Sequence, residues 1–222
     1  GQASEGQAID LVERIDLVER IDLCPTGAIH WVGTWRTAGD ILAEVRRDRP
    51  FYGHNGGLTL TGGEPTMQPA LCEALLALAR LDGIHTAIET CGHTQWAVYE
   101  RLLPWLDLVL FDVKHVDPEI HRRHTGADNA LILANLQRLA AAGVPVRVRV
   151  PLIPGFNADP AAVQAICAFV RSLPGPVQAV DLLPYHTLGR AKYAALGRPY
   201  PWTEHARLAD AEVAALAALA QA

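Results

Sequence analysis

From Leu58 to Leu183, short Val/Leu/Ile-rich runs alternate with stretches of helical length, and nothing else in the sequence constrains the fold as strongly. Strands are predicted at 58–61, 84–89, 107–112, 145–150 and 178–183. Helices are predicted over 41–47, 69–81, 94–103, 128–142, 159–172 and about 203–220, and "DPEIHRRHTG" also reads as helical. The runs "LDLVLFDV", "VPVRVRVPLI" and "VQAVDLLP" carry no clean polar alternation, as expected of strands buried on both faces of a parallel sheet. Alternating strand and helix implies a parallel α/β sheet or barrel. Five strands fall short of the eight of a complete barrel, which leaves a partial barrel, a barrel missing a piece, or an open sheet.

In such architectures ligands bind at the carboxyl ends of the strands. The first strand ends in Gly62-Gly63-Glu64 and the second in Glu89-Thr90-Cys91-Gly92. The third ends in Asp112-Val113-Lys114-His115, the fourth carries Arg149 before "PLIPGFN", and the fifth ends in Pro184-Tyr185-His186. Each strand therefore delivers a polar or ionisable group to one rim. The two glycines would let a ligand approach the backbone closely, and the Glu64 carboxylate could accept from a cationic group. Singly, each feature has a plainer reading. Gly-Gly after a strand can be a turn, Asp112 and Lys114 can pair with each other or a neighbour, and His186 can be structural. His121 and His124 read as a solvated helix face rather than as metal ligands. Cys72 and Cys167 fit helical apolar patterns and belong to a core, and Cys91 sits at the rim without a base paired to it.

A chain of 222 residues, half of them hydrophobic, can bury a large single core. A formal charge of −5 gives no general nucleic-acid surface, and no apolar run is long enough to cross a membrane. The expectation is a soluble, cytoplasmic protein whose four scattered cysteines are reduced thiols. The start of the chain is unusual. "IDLVERIDLVERIDL", from Ile9 to Leu23, repeats one hexapeptide, and a period of six does not hold one helical face apolar for long. Residues 1–36 read as an aberrant segment and 37–222 as the barrel domain.

The rim motifs, in this order, resemble those of the radical S-adenosylmethionine enzymes, and within them the glycyl-radical-enzyme activating enzymes of the pyruvate formate-lyase activating type. The resemblance runs from about Cys24 to Trp202. It rests on "RPFYGHNGGLTLTGGEPTMQP", "GIHTAIETCGH", "LDLVLFDVKHVDPEIHRRHTG", "VPVRVRVPLIPGFN" and "LLPYHTLGRAKYAALGRPY". It implies a partial parallel (β/α)6-type barrel of the TIM-like kind. Gly62, Gly63 and Glu64 would hold the amino group of S-adenosylmethionine. Glu89, where the family often has Asp, would face the ribose or a bound cation. Asp112, Val113 and Lys114 would line the same site with Lys114 near the carboxylate, Arg149 would assist, and His186 would lie over the cofactor. A reduced [4Fe-4S] cluster would cleave the cofactor to a 5′-deoxyadenosyl radical, which would take hydrogen from a glycine of a partner glycyl radical enzyme. Flavodoxin or ferredoxin would supply the electron.

The family holds its cluster with CxxxCxxC, and the sequence contains no such pattern. Cys24-Pro25 resembles the tail of a ferredoxin-type insert, with Cys24 as the remnant of an auxiliary site. On this reading the first β/α unit is missing, through truncation or misassembly, fragmentation, or degeneration of a homologue, and the identical repeats favour the first. The chain alone would then be catalytically incompetent. Two alternatives stand beside this: a non-catalytic remnant that binds S-adenosylmethionine or a partner, and a barrel lyase using Lys114 as a Schiff base.

Overall fold

The structure is a computed structural model that describes residues 25–26, 33–54, 56–200 and 208–221. Two compact units divide at Thr37, and the elements that follow all belong to the unit from Ala38 onward. The hexapeptide repeat and Cys24 lie outside the described residues.

Five strands form one parallel sheet in sequential order: β1 (Gly57–Leu60), β2 (His85–Thr90), β3 (Leu108–Asp112), β4 (Val146–Leu152) and β5 (Val177–Pro184). β1 and β5 are not paired with each other, so the sheet is open. Helix α1 (Ala38–Arg47) precedes the sheet. The crossovers are α2 (Pro69–Leu81) after β1, α3 (Trp96–Leu102) after β2, α4 (Pro118–Thr125) and α5 (Ala130–Ala141) after β3, and α6 (Pro160–Arg171) after β4. α7 (Arg190–Ala195) and α8 (Asp210–Gln221) follow β5. The alternating architecture, the parallel pairing and the five-strand count match the sequence reading. The short α7 adds to the helices expected; of the predicted last helix, residues 203–207 lie outside the described residues, and α8 starts at Asp210, where Glu212 accepts from the Ala209 backbone N–H as a cap.

The core lies between the sheet and its helices. α2 buries Cys72, Leu75, Leu76 and Ala79, whose spacing is that of one helical face. α6 likewise buries Val163, Ile166, Cys167 and Val170, so both helical cysteines are core residues as expected. Each fully buried Leu or Ile on these faces contributes about 1.5–3 kcal/mol. One expectation fails at β4. Val146, Val148, Val150 and Leu152 are buried while Arg147, Arg149 and Pro151 between them are only half-buried. The strand alternates because the inner face of an open sheet is not packed against other strands.

That inner face is charged. Arg149 Nη1 sits 2.6 Å from Glu89 Oε2, across β3, and its Nε lies 3.9 Å from Asp112 Oδ1. Deeper along β4, Arg147 pairs with both oxygens of Asp181, at 2.9 and 2.7 Å. Among the described residues no helix is long and apolar enough to cross a membrane.

Candidate active site

β1 ends at Leu60, and the chain turns through Gly62, whose φ of +130° is glycine's own region. A Cβ at Gly62 or Gly63 would meet nothing within 4 Å, so bare backbone faces open space. Glu64 is extended and caps the 3₁₀ turn Pro65–Met67. Its Oε1 accepts from the Thr66 N–H at 3.2 Å and the Thr66 hydroxyl at 2.7 Å. Across the sheet, Thr90 donates to the same oxygen at 2.8 Å, and the Cys91 N–H donates to Oε2 at 2.8 Å. From α2, the Cys72 thiol donates to the Pro65 carbonyl at 3.0 Å; burial pushes that thiol up to about 11, which keeps its proton in place.

The ends of β1, β2 and β3 enclose a cleft of about 310 Å³ lined by Gly62, Gly63, Glu64, Glu89, Thr90, Cys91, Asp112 and Lys114. Arg149 reaches its edge through the ion pair with Glu89. His186 does not join them. It lines a separate concavity with Tyr185, Asp210 and Val213, between the end of β5 and α8. Four steps of about 4.8 Å separate the first and last strands of an open sheet, so their ends lie roughly 19 Å apart before any curling. Val113 is buried in the core beside the site.

Burial alone would raise the Glu64 carboxyl, but the donors from Cys91, Thr66 and Thr90 outweigh it and hold it below the ordinary carboxylate value. Asp112 goes the other way. Burial raises it, the neighbouring Glu89 and Glu64 charges add to the rise, and Lys114 and Arg149 only partly offset them. Its Oδ1 is buried and finds no hydrogen-bond donor among the described residues. Burial also raises the Cys91 thiol, with Glu64 adding to it, which works against thiolate chemistry there. The cleft thus offers exposed glycine backbone, three carboxylates, one of them with an unclaimed acceptor, and a lysine. That set suits a zwitterionic ligand with hydroxyl or ammonium donors.

The reading of His121 needs correction. Its side chain is buried, with Nδ1 2.7 Å from the Ala127 carbonyl and 3.0 Å from the Thr125 hydroxyl. Thr125 lies one turn on along α4 and the turn after the helix brings in the Ala127 carbonyl, so His121 is a satisfied interior histidine. His124 is exposed and its ring stacks on Phe156 at 4.4 Å. No group of three or more His, Cys, Asp or Glu among the described residues could hold a metal.

Several residues that build the site escaped the sequence reading. Asn157, fully buried, accepts from the Ile153 N–H and donates to the carbonyls of Lys114 and Pro151. Asn135 donates to the carbonyls of Gly92 and Thr94. Tyr99 stands behind Glu64, joined to it through Thr90 of the rim motif. Asn157 ends the "IPGFN" run, and a polar residue closing the turn after an apolar strand is the available signal. Tyr99 sits in an ordinary helical pattern that offers none.

An open parallel α/β sheet with glycine backbone, acids and a lysine gathered at its carboxyl rim defines a ligand-binding half-barrel. The model of the Radical SAM superfamily matches residues 23–163, and the chain belongs to that superfamily. It is 44% identical over 184 residues to the isethionate sulfite-lyase activating enzyme of Nitratidesulfovibrio vulgaris, covering 82% of this chain and 59% of that protein. It is 40% identical over 174 residues to the pyruvate formate-lyase-activating enzyme of Streptococcus mutans, covering 76% of this chain and 66% of that protein. Among solved structures, a domain of a pyruvate-formate lyase-activating enzyme from Bacteroides vulgatus superposes with a TM-score of 0.63 at 28% identity, covering 75% of this chain and 94% of that one. The chain spans about three-fifths of the length of curated relatives that it matches.

The family implies S-adenosylmethionine and a four-iron cluster. The cleft fits the first: the open glycine turn and the unclaimed Asp112 oxygen are places for its donors. The described residues do not fit the second. Of the described cysteines, Cys72 and Cys167 are buried in the core and only Cys91 reaches the rim.

Proposed function

We propose that this chain is the cofactor-binding part of a glycyl-radical-enzyme activating enzyme. The observation that carries the reading is the cleft at the ends of β1 to β3, which gathers Gly62, Gly63, Glu64, Glu89, Asp112 and Lys114 of the residues expected from the resemblance. Glu64 and the Gly62–Gly63 backbone receive the ammonium of S-adenosylmethionine. Lys114 pairs with its carboxylate, and Glu89 and Asp112 accept from its ribose hydroxyls or a cation. Arg149 orients Glu89 through their ion pair. Val113 packs in the core behind the site, and His186 lies outside this cleft. The chemistry the cofactor supplies when bound is a one-electron cleavage that ends in removal of hydrogen from a glycine of a partner glycyl radical enzyme. A flavodoxin or ferredoxin provides the electron.

Titration calorimetry with S-adenosylmethionine tests the binding step. Glu64→Gln and Lys114→Ala should each weaken binding about tenfold or more, since each removes a charge-assisted contact worth roughly 1.5–3 kcal/mol. Equal affinity in both folded variants and the parent would place the cofactor elsewhere and sink this reading.

A second reading is favoured by the placement of the described cysteines: these residues bind the cofactor without radical chemistry of their own. Anaerobic reconstitution with iron and sulfide separates the two. On the second reading the 222-residue chain retains almost no iron. A stoichiometric cluster whose reduced spectrum responds to S-adenosylmethionine would favour the first, with Cys24 and Cys91 or a second chain among its ligands.

A further inference from the structure

Behind Glu64 lies a chain of hydroxyls that leads out of the cleft and into the core. Thr90 Oγ1 is 2.8 Å from Glu64 Oε1 and 2.9 Å from the Tyr99 hydroxyl, and it accepts from the Gly92 N–H at 3.1 Å. The directions of these bonds follow from proton counting. An ionised carboxylate only accepts, and a threonine hydroxyl has one proton to give. Thr90 therefore donates to Glu64, and Tyr99 must be the donor to Thr90. Tyr99 is fully buried in α3, and burial raises its phenol well above the ordinary value, so its proton stays on.

The relay biases the two carboxylate oxygens differently. Oε1 takes three donors, Thr66 N–H, Thr66 hydroxyl and Thr90 hydroxyl, and has no capacity left. Oε2 takes the Cys91 N–H. The Cys91 thiol also leans on the carboxylate, but a thiol is a weak donor that a stronger one displaces.

We infer that Thr90 and Tyr99 are positioning residues for Glu64, the Tyr99→Thr90→Glu64 relay locking Oε1 so that Oε2 is presented, ionised, to a cationic group in the cleft. The inference rests on the reading of the cleft as the S-adenosylmethionine site. A phenol in the middle of a core is costly to bury without a partner, and Thr90 is the partner that Tyr99 has. The same ring without its hydroxyl would fill the same space against Trp96.

The test uses the full chain, labelled with ¹³C in the glutamate carboxyls, in the parent and in Tyr99→Phe, Thr90→Val and Thr90→Ser. In the parent, Glu64 titrates below an ordinary glutamate, so the stability its bonds confer is present above the ordinary carboxylate range and lost as pH falls through the folded value. The Glu64 titration should move upward in Tyr99→Phe and further in Thr90→Val, and Thr90→Ser should restore it. Affinity for S-adenosylmethionine should fall about threefold in Tyr99→Phe, which loses a bond between two neutral hydroxyls, and about tenfold in Thr90→Val, which loses the bond to the charged carboxylate. Folding is checked by the amide NMR spectrum, and if Tyr99→Phe does not fold, the Thr90→Val and Thr90→Ser pair carries the test. An unchanged Glu64 titration in folded Thr90→Val overturns the relay, even if Glu64→Gln abolishes binding. A moved titration with binding indifferent to Glu64→Gln keeps the relay and removes the cofactor reading instead.

Discussion

Replacing Gly92 with alanine should lower the stability of the chain by about 2–5 kcal/mol in denaturant unfolding. Two costs add. Gly92 sits at φ +77°, where an L side chain costs roughly 1–2 kcal/mol. A Cβ there would also collide with the buried Phe111 ring, with Cε2 only 2.8 Å away and Cζ closer still. Relieving such overpacking costs roughly 1–3 kcal/mol. Phe111 is fully buried, pinned in β3 between core neighbours, so it has little room to yield. Gly126→Ala is the matched control. Gly126 has a similar φ of +86° but nothing within 4 Å of its Cβ position, so only the backbone cost remains. Gly92→Ala should therefore unfold at clearly lower denaturant than Gly126→Ala. Equal midpoints would mean that Phe111 moves aside freely and that the packing argument is wrong. Because the Gly92 N–H also feeds Thr90, the surviving folded fraction should bind S-adenosylmethionine more weakly.

Much of this rim was legible because parallel strands write their ends plainly. A hydrophobic run stops, and glycines or ionisable groups follow: Gly62-Gly63-Glu64, Glu89, Asp112 and Lys114 were all found this way, and the structure brings them around one cleft. The same rule also predicts His186 at the cleft, which shows its limit. It treats strand ends as if they met around a closed barrel, whereas β1 and β5 of this open sheet are not paired and His186 lines a concavity beside α8. The sequence shows "VRVRV" at β4, but the rule for buried parallel strands assigned both faces to the interior, and only the open inner face explains the arginines. His121 departs from a solvated helix face because the Ala127 carbonyl reaches its ring only once the turn after α4 closes, although Thr125, one helical turn on, is a local partner. The supporting asparagines were hidden for a related reason. Asn135 and Asn157 each bind backbone carbonyls more than 40 residues away, and no local pattern encodes a bond of that span.

Asn157 is where that hidden support should matter most. Its side-chain oxygen accepts from the Ile153 N–H at 2.7 Å, and its amide donates to the Lys114 carbonyl at 2.7 Å and the Pro151 carbonyl at 2.8 Å. One buried side chain thus ties the end of β4 to the backbone of the cleft lysine. Asn157→Ala deletes all three bonds and leaves one N–H and two carbonyls to be satisfied otherwise, a loss of roughly 2–4 kcal/mol by denaturant unfolding. Asn157→Asp should be worse at neutral pH, although it is nearly isosteric. A carboxylate can still accept from Ile153, but it has no proton for the two carbonyls, and it is a charge buried among acceptors. The sign of its pH dependence follows. Burial and the facing carbonyls raise the folded-state value of such a carboxyl above its unfolded one, so the stability tied to its proton is present in acid and lost as pH rises through the folded value. Asn157→Asp should therefore approach Asn157→Ala in stability as pH falls and lag behind it at neutral pH. Both variants should also weaken S-adenosylmethionine binding, because the backbone that carries Lys114 loses its anchor while the lysine itself is untouched. A folded Asn157→Ala with parental affinity would show that the lysine is held by the strand alone. An Asn157→Asp midpoint that does not move with pH would mean that water reaches this carboxylate, and that the site behind Lys114 is not the closed interior its geometry describes.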